Sequence, residues 1–391
     1  SVAHPFPNCY VGAVAWADYN NDGKLDILIS GATTGGGLVA NLWRNEGNGT
    51  FTHSGANLPG TDLGFAAWGD YDNDGDLDLL FGGNSNEGRI ARIYRNDGGT
   101  FTNINAGLLP VIWSSAAWGD FDNDGKLDAM IMGYDPVAQV PVSRLYRNVG
   151  GNTFSDSGQA FHNLYLGTLI WADYDNDGNL DLVLAGNDAG ADLLILYHNN
   201  NPVTNTAPGA PAGLVATNFG PSIIFDWTAA ADAQTPAAGL NYNLRVGTAP
   251  GAADILSPES GTNGTRRLAA LGNTGSRLTA QLNNLRPGTN YYWSVQAIDS
   301  AFAGGPFAVE SSFFLAAPSA PHLLSAQPGT NGFRIEASGS PGWSYGIEAT
   351  TNFNAPAWAQ LGSGTADNSG KFVFTDTNAA SHQRFYRALY P

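Results

Sequence analysis

The feature that most limits what this chain can fold into is an acidic loop that returns four times at nearly even spacing. It reads DYNNDGKLD from Asp18, DYDNDGDLD from Asp70, DFDNDGKLD from Asp120 and DYDNDGNLD from Asp173. The starts lie 52, 50 and 53 residues apart. A period near 50 marks a propeller or another repeat array, because a unit that small cannot bury its apolar faces alone and must stack on a neighbour. The register extends past the loops. A tryptophan stands two residues before each first aspartate (Trp16, Trp68, Trp118, Trp171), and a glycine five residues after each last one (Gly31, Gly83, Gly133, Gly186). An aromatic–basic–asparagine triplet follows at Trp43, Tyr94, Tyr146 and Tyr197, then a TF pair ending at Phe51, Phe101 and Phe154. Each unit reads as four short strands. Residues 1–200 are therefore expected to form a β-propeller of four repeats, with the tryptophans packed between blades.

Within each loop, positions 1, 3, 5 and 9 carry oxygen side chains. They are Asp18, Asn20, Asp22 and Asp26; Asp70, Asp72, Asp74 and Asp78; Asp120, Asp122, Asp124 and Asp128; and Asp173, Asp175, Asp177 and Asp181. Position 6 is always glycine, which lets the backbone turn sharply. Position 7 varies (Lys24, Asp76, Lys126, Asn179), as expected where only a carbonyl oxygen is used. Position 8 is always leucine, an anchor for the loop. Hard oxygen donors select calcium over zinc or copper. Two carboxylates about 5 Å apart repel by roughly 3 kcal/mol at an effective dielectric of ~20, so a dication would turn repulsion into attraction. About four calcium ions are expected, one per repeat. The loop is no EF-hand, because its twelfth position is Ile29, Phe81, Ile131 or Leu184 instead of glutamate. A metal-free Asx-rich turn is the alternative; four copies in register argue against it.

These residues resemble the FG-GAP/VCBS repeat family, the calcium-loop blades also found in the integrin head. The resemblance covers roughly residues 1–200 through segments such as ADYDNDGNLDLVLAG and LYRNDGGTF. It implies a calcium-bound propeller on a secreted or cell-surface protein, usually one that serves adhesion or carbohydrate binding. Integrin-type propellers have seven blades, whereas four repeats are found here.

One outer strand is expected to be missing at both ends of the array. The TF phenylalanine precedes the next loop by 19 residues in repeats two to four, and its equivalent before Asp18 would fall ahead of Ser1. After Tyr197 the chain runs into a linker with no TF pair. Either SVAH pairs at the edge, or the last blade has three strands, or another chain fills the gap and makes a dimer or filament.

The remaining chain reads as a linker (201–207) and two β-sandwiches, 208–316 and 317–391, which makes the whole chain all-β. The first resembles a fibronectin type III domain. Leu285, Pro287, Gly288, Thr289, Tyr291, Val295 and Ala297 match its tyrosine-corner region, and Trp227 its buried strand-B tryptophan. The second resembles small C-terminal modules of secreted bacterial proteins. There is no RGD triplet.

Composition excludes some functions. With 17 Lys+Arg against 34 Asp+Glu the chain carries a net charge of −17 and would be repelled by nucleic acid. No apolar run nears the ~20 residues that span a bilayer as a helix. The absence of a basic and apolar leader makes Ser1 readable as a mature N-terminus. The single Cys9 reads as a small apolar residue, with an intermolecular disulfide as the alternative. GWSYG at Gly342 fits G-x-S-x-G, but that motif needs a strand-to-helix turn and the surroundings read as β, so Ser344 is not expected to be a nucleophile. The six histidines (His4, His53, His162, His198, His322, His382) show no metal spacing, and His198 holds the place of Arg95 and Arg147. The expectation is a non-catalytic, extracellular, calcium-stabilised structural or adhesion protein, self-assembling through its incomplete edge, with other extracellular proteins or surface glycans as further partners. The alternatives are a lectin using Trp113 or Trp43, and a polysaccharide-active enzyme.

Overall fold

The computed structural model describes residues 4–258, 260–261, 264–266, 269–329, 331–354, 356–378 and 383–390. Ser1–Ala3 of the SVAH segment and His382 lie outside the described residues. Among the described residues all regular structure is β, and no helix is long and apolar enough to cross a membrane.

The repeats form four antiparallel sheets. The first holds β1 (Cys9–Tyr10), β2 (Val14–Ala17), β3 (Asp26–Thr33), β4 (Leu38–Asn45) and β5 (Phe51–His53). The second runs β6 (Thr61–Gly69), β7 (Asp78–Ser85), β8 (Gly88–Asp97) and β9 (Thr100–Asn103). The third runs β10 (Ile112–Gly119), β11 (Asp128–Asp135), β12 (Val140–Gly150) and β13 (Thr153–Asp156). The fourth has only β14 (Tyr165–Ala172), β15 (Asp181–Asn187) and β16 (Asp192–Tyr197). β3, β7 and β11 are apolar on both faces because both are covered by packing. β1 and β2 both pair with β3 and together equal one first strand. They split where β6, β10 and β14 carry a bulge. A bulky residue with positive φ marks that point in every repeat: Val11 (45°), Leu63 (53°), Trp113 (49°) and Leu166 (52°).

One expectation needs correction. The TF pairs lie on β5, β9 and β13, each bonded to the strand before it in its own repeat. The first sheet therefore has its outer strand, and only the fourth lacks one. There the chain leaves β16 for the linker, held by the 2.7 Å hydrogen bond from Asn123 Nδ2 to the Val203 carbonyl. Among the described residues the sheets are separate and no closed ring is found. They stack in chain order with three apolar layers between them. Leu28 and Leu42 meet Leu79 and Phe81, Leu80 and Ile93 meet Leu127 and Ile131, and Met130 and Leu145 meet Leu180 and Leu182. Four repeats make an open stack that exposes Trp16 and Leu25 at one end and Leu194 and Leu196 at the other.

Two sandwiches follow. β17 (Ala212–Phe219), β18 (Ser222–Thr228) and β20 (Thr279–Leu282) form one sheet of the first. β19 (Asn241–Gly247), β21 (Thr289–Ile298) and β22 (Ser311–Leu315) form the other. Trp227 is buried between them, and Tyr291 Oη donates a 3.0 Å hydrogen bond to the Arg286 carbonyl, the tyrosine-corner contact. In the second sandwich, β23 (His322–Gly329), β24 (Gly332–Ser338) and β27 (Lys371–Asp376) face β25 (Ser344–Thr350), β26 (Ala359–Thr365) and β28 (Phe385–Leu389). The buried side chains of both sandwiches join in one cluster.

Candidate metal centre

The four acidic loops join the first and second strands of each sheet, β2 to β3, β6 to β7, β10 to β11 and β14 to β15. They share one internal bonding scheme. The position-1 carboxylate accepts from the backbone of positions 5 and 6. For Asp70 the donors are Asp74 N (3.1 Å) and Gly75 N (2.9 Å). Asp18, Asp120 and Asp173 repeat this with Asp22 and Gly23, Asp124 and Gly125, and Asp177 and Gly178. The position-6 glycines sit at φ of 90°, 96°, 84° and 86°, open to glycine at little cost.

The position-9 aspartate is the buried one. Asp26, Asp78, Asp128 and Asp181 are all at or below 1% exposure. Asp78 accepts from Tyr71 N (3.0 Å) and Asn96 N (2.8 Å), and Asp128 from Phe121 N (3.1 Å) and Asn148 N (2.7 Å). The side chain of each such asparagine ties its own loop to the preceding one. Asn96 Nδ2 donates to the Leu77 and Tyr19 carbonyls at 3.0 and 2.8 Å. Asn148 does so to Leu127 and Tyr71, and Asn199 to Leu180 and Phe121.

Ligating atoms gather as follows. Oxygens of Asp70, Asp72 and Asp78 lie within 4.8 Å of one another, as do those of Asp120, Asp122 and Asp128, and those of Asp173, Asp175 and Asp177. In the first loop position 3 is Asn20, and Asp18, Asp22 and Asp26 make no carboxylate group that tight. Lys24 and Lys126 turn their ammonium groups onto Asp22 and Asp124, both at 2.9 Å, which leaves their carbonyls as the loop's position-7 oxygens. Asp76 accepts from Asn21 and Gly98, and Asn179 from Asn123. Arg147 pairs with both Asp122 and Asp124. His198 stands in its place in the fourth repeat, with Nδ1 3.2 Å from Asp181 Oδ1 and 3.5 Å from Asp175 Oδ2. The sequence reading placed no histidine at a loop; the structure puts one there, where its sister residue is a charge partner.

Electrostatics set the chemistry. Loss of water on burial pushes Asp78 and Asp128 up to about 9; hydrogen bonds from Asn96 and Asn148 oppose this, and the neighbouring aspartates add to it. The same cause raises Asp70 to about 7, and Asp26 and Asp120 to about 6. Asp26 Oδ2 and Asp122 Oδ1 are buried with no hydrogen-bond partner. Carboxylates crowded and buried this way ionise favourably only beside a cation. An oxygen donor set with orphaned atoms fits calcium. The side chains at positions 1, 3, 5 and 9 and the position-7 carbonyl are the groups that would hold it.

Sequence reasoning missed the asparagine at position 4. Asn21, Asn73, Asn123 and Asn176 all adopt positive φ, between 55° and 61°. The first three reach the next loop. Asn21 Nδ2 lies 3.2 Å from the Gly75 carbonyl, and Asn73 Nδ2 2.8 Å from that of Gly125. Asn123 Nδ2 lies 2.8 Å from Asn179 Oδ1. The presence of asparagine in all four copies was the available signal. Also missed was the seating of the first sandwich on the loops. Ser276 Oγ donates to the Gly75 carbonyl (2.5 Å), Arg277 Nε lies 3.3 Å from Asp18 Oδ2, and Ser300 Oγ donates to Asp120 Oδ2 (2.8 Å). Ser344, for its part, opens β25 with Oγ 2.7 Å from Thr365 Oγ1, far from any strand-to-helix turn.

Residues 18–81 and 70–131 match the FG-GAP-like repeat family. A comparison with curated proteins gives no match. Solved structures similar to this chain include the FN1-FN3 domains of chicken CNTN1, at 14% identity and a TM-score of 0.20 over 47% of this chain and 62% of that one. Another is the selenomethionine-substituted chicken interferon gamma receptor alpha chain, at 11% identity and 0.24 over 47% and 84%. This chain thus spans less than two thirds of the CNTN1 structure.

Proposed function

We propose that the chain is a non-catalytic structural or adhesion module of the extracellular space, built as an array of propeller-type blades and stabilised by calcium in its four loops. The observation that carries this reading is the buried position-9 aspartate, which recurs in every repeat among other carboxylates. The match to FG-GAP-like repeats supports it. Self-association belongs to the same reading, because β16 leaves an unpaired edge. A ligand that binds only the folded state stabilises it by about 2.7 kcal/mol at a hundredfold excess over its Kd. Melting is therefore expected to occur at a clearly higher temperature in millimolar calcium than in EGTA; identical curves would refute the reading.

Carbohydrate binding is a second reading with one observation in its favour. Trp113, 37% exposed, has ring centroids of Tyr134 and Tyr165 at 5.6 and 6.0 Å, an aromatic group that could stack on a sugar. Glycan-array binding that disappears in Trp113→Ala would establish it.

A further inference from the structure

The two end faces of the repeat stack are the two halves of the interface that recurs inside it. On the leading side of the third and fourth sheets, a tryptophan and the position-8 leucine press on the sheet before, while Trp68 and Leu77 of the second are half-buried. Trp118 and Trp171 are 4% and 5% exposed, and Leu127 and Leu180 are 4% and 2%. Their counterparts in the first sheet, Trp16 and Leu25, are 54% and 59% exposed. Phe6 packs on Phe51 and Trp43 at 5.1 and 5.6 Å, and Ile27 and Ile29 are buried, so the open part of that face lies at Trp16 and Leu25.

The trailing side shows the converse. Leu42, Ile93 and Leu145 are at most 2% exposed beneath the following sheet, whereas the matching Leu196 is 47% exposed. Leu194 is 74% exposed, where Ala40, Ala91 and Ser143 are at most 9%. Tyr19 and Tyr71 are buried against Phe101 and Phe154 of the next repeat, and Tyr174 is 53% exposed. Among the described residues no further sheet covers this face, since after β16 the chain turns to the sandwich seated on the loops.

Polar groups match as well. Asn73 spans from one loop to the next by bonding the Gly125 carbonyl, beside Lys126 at position 7. Asn176 has no following loop to reach, and the first loop has the same pair, Gly23 and Lys24. Asn96, Asn148 and Asn199 each bond a carbonyl of the preceding loop. Asn45 bonds its own Leu25 carbonyl, and among the described residues no loop stands before the first.

We infer that the trailing face of the fourth sheet docks on the leading face of the first sheet of a second copy of this chain, continuing the stack head to tail. The contact is heterologous, so it grows into a filament or closes into a ring. It deepens the structural-module reading above and rests on it for the calcium in which the loops are set.

The test uses the full chain in calcium at about 100 µM, well above the micromolar range of modest protein contacts, with mass read by light scattering. Trp16→Asp disables the leading face and Leu194→Asp the trailing one. Both sites are exposed, and melting curves verify that the variants fold. Wild type is expected to form dimers or larger species, each variant alone to be a monomer, and the two variants mixed to form a 1:1 dimer that grows no further. A monomeric wild type, a mixture that stays monomeric, or a single variant that still assembles would overturn the inference. Calorimetric calcium titration of the same sample separates the two claims. Calcium uptake without assembly defeats this inference alone, and assembly without calcium uptake defeats the functional reading alone.

Discussion

Ser300 Oγ donates a 2.8 Å hydrogen bond to Asp120 Oδ2, and both residues are buried. Ser300 also lies 3.0 Å from Thr235 Oγ1, so the third acidic loop is hydrogen-bonded into the sandwich 180 residues further along the chain. Breaking a buried hydrogen bond of this kind costs about 1–3 kcal/mol, because Asp120 keeps its burial and loses a donor. Ser300→Ala is expected to lower stability in urea by that amount. It should also loosen the seat of the sandwich, read as faster proteolysis of the linker at 201–207. Unchanged stability and proteolysis would mean that this contact does not hold the two parts together.

The position-4 asparagine has two jobs that substitution can separate. Asn73 sits at φ 60° and donates to the Gly125 carbonyl at 2.8 Å. A left-handed backbone costs a non-glycine residue roughly 1–2 kcal/mol, and the hydrogen bond contributes about 1 kcal/mol. Asn73→Ala should thus destabilise by about 2–3 kcal/mol and Asn73→Gly by about 1 kcal/mol. Equal losses in chemical denaturation would remove backbone strain from the explanation.

The raised aspartates predict an unusual pH dependence for the metal-free protein. Asp78 and Asp128 stand near 9 when folded, against an ordinary 3.8. The folded state therefore keeps protons that the unfolded state has released. Their contribution is fully present below about pH 4 and lost as pH rises toward 9. Melting temperature in chelator should fall across that window, less steeply in Asp78→Asn. Calcium needs the ionised carboxylates, so its stabilising effect should grow over the same range. A chelated melting temperature that is flat or rises with pH would contradict the burial argument.

In the first sandwich, Tyr291→Phe removes the hydrogen bond to the Arg286 carbonyl and leaves the ring in place. The expected loss is about 1 kcal/mol, with calcium uptake by the loops unchanged. A change in calcium stoichiometry would show that the corner reaches further than its contacts suggest.

The acidic loops were legible in the sequence because repetition places the same residue type at the same offset, and such offsets are local. Strand membership was harder. The TF phenylalanine stands 19 residues before the next loop, a spacing that reads equally well as the end of one repeat or the start of the next. The short glycine turns before Thr100 and Thr153 favour the first, as hairpins do, and the structure pairs Asn96 with Phe101. Ring closure was not legible at all, since it depends on the angle between successive sheets. Nor was the contact of Ser276 with Gly75, 201 residues apart, where nothing in either segment names the other.

The central claim is that each loop is held together by a dication among its aspartates. Equilibrium dialysis against calcium, with bound metal counted by atomic emission, tests it directly. The account predicts about four ions per chain, with one lost in Asp78→Asn and one in Asp128→Asn. No bound calcium in the folded wild-type protein, or a stoichiometry untouched by both substitutions, would contradict it.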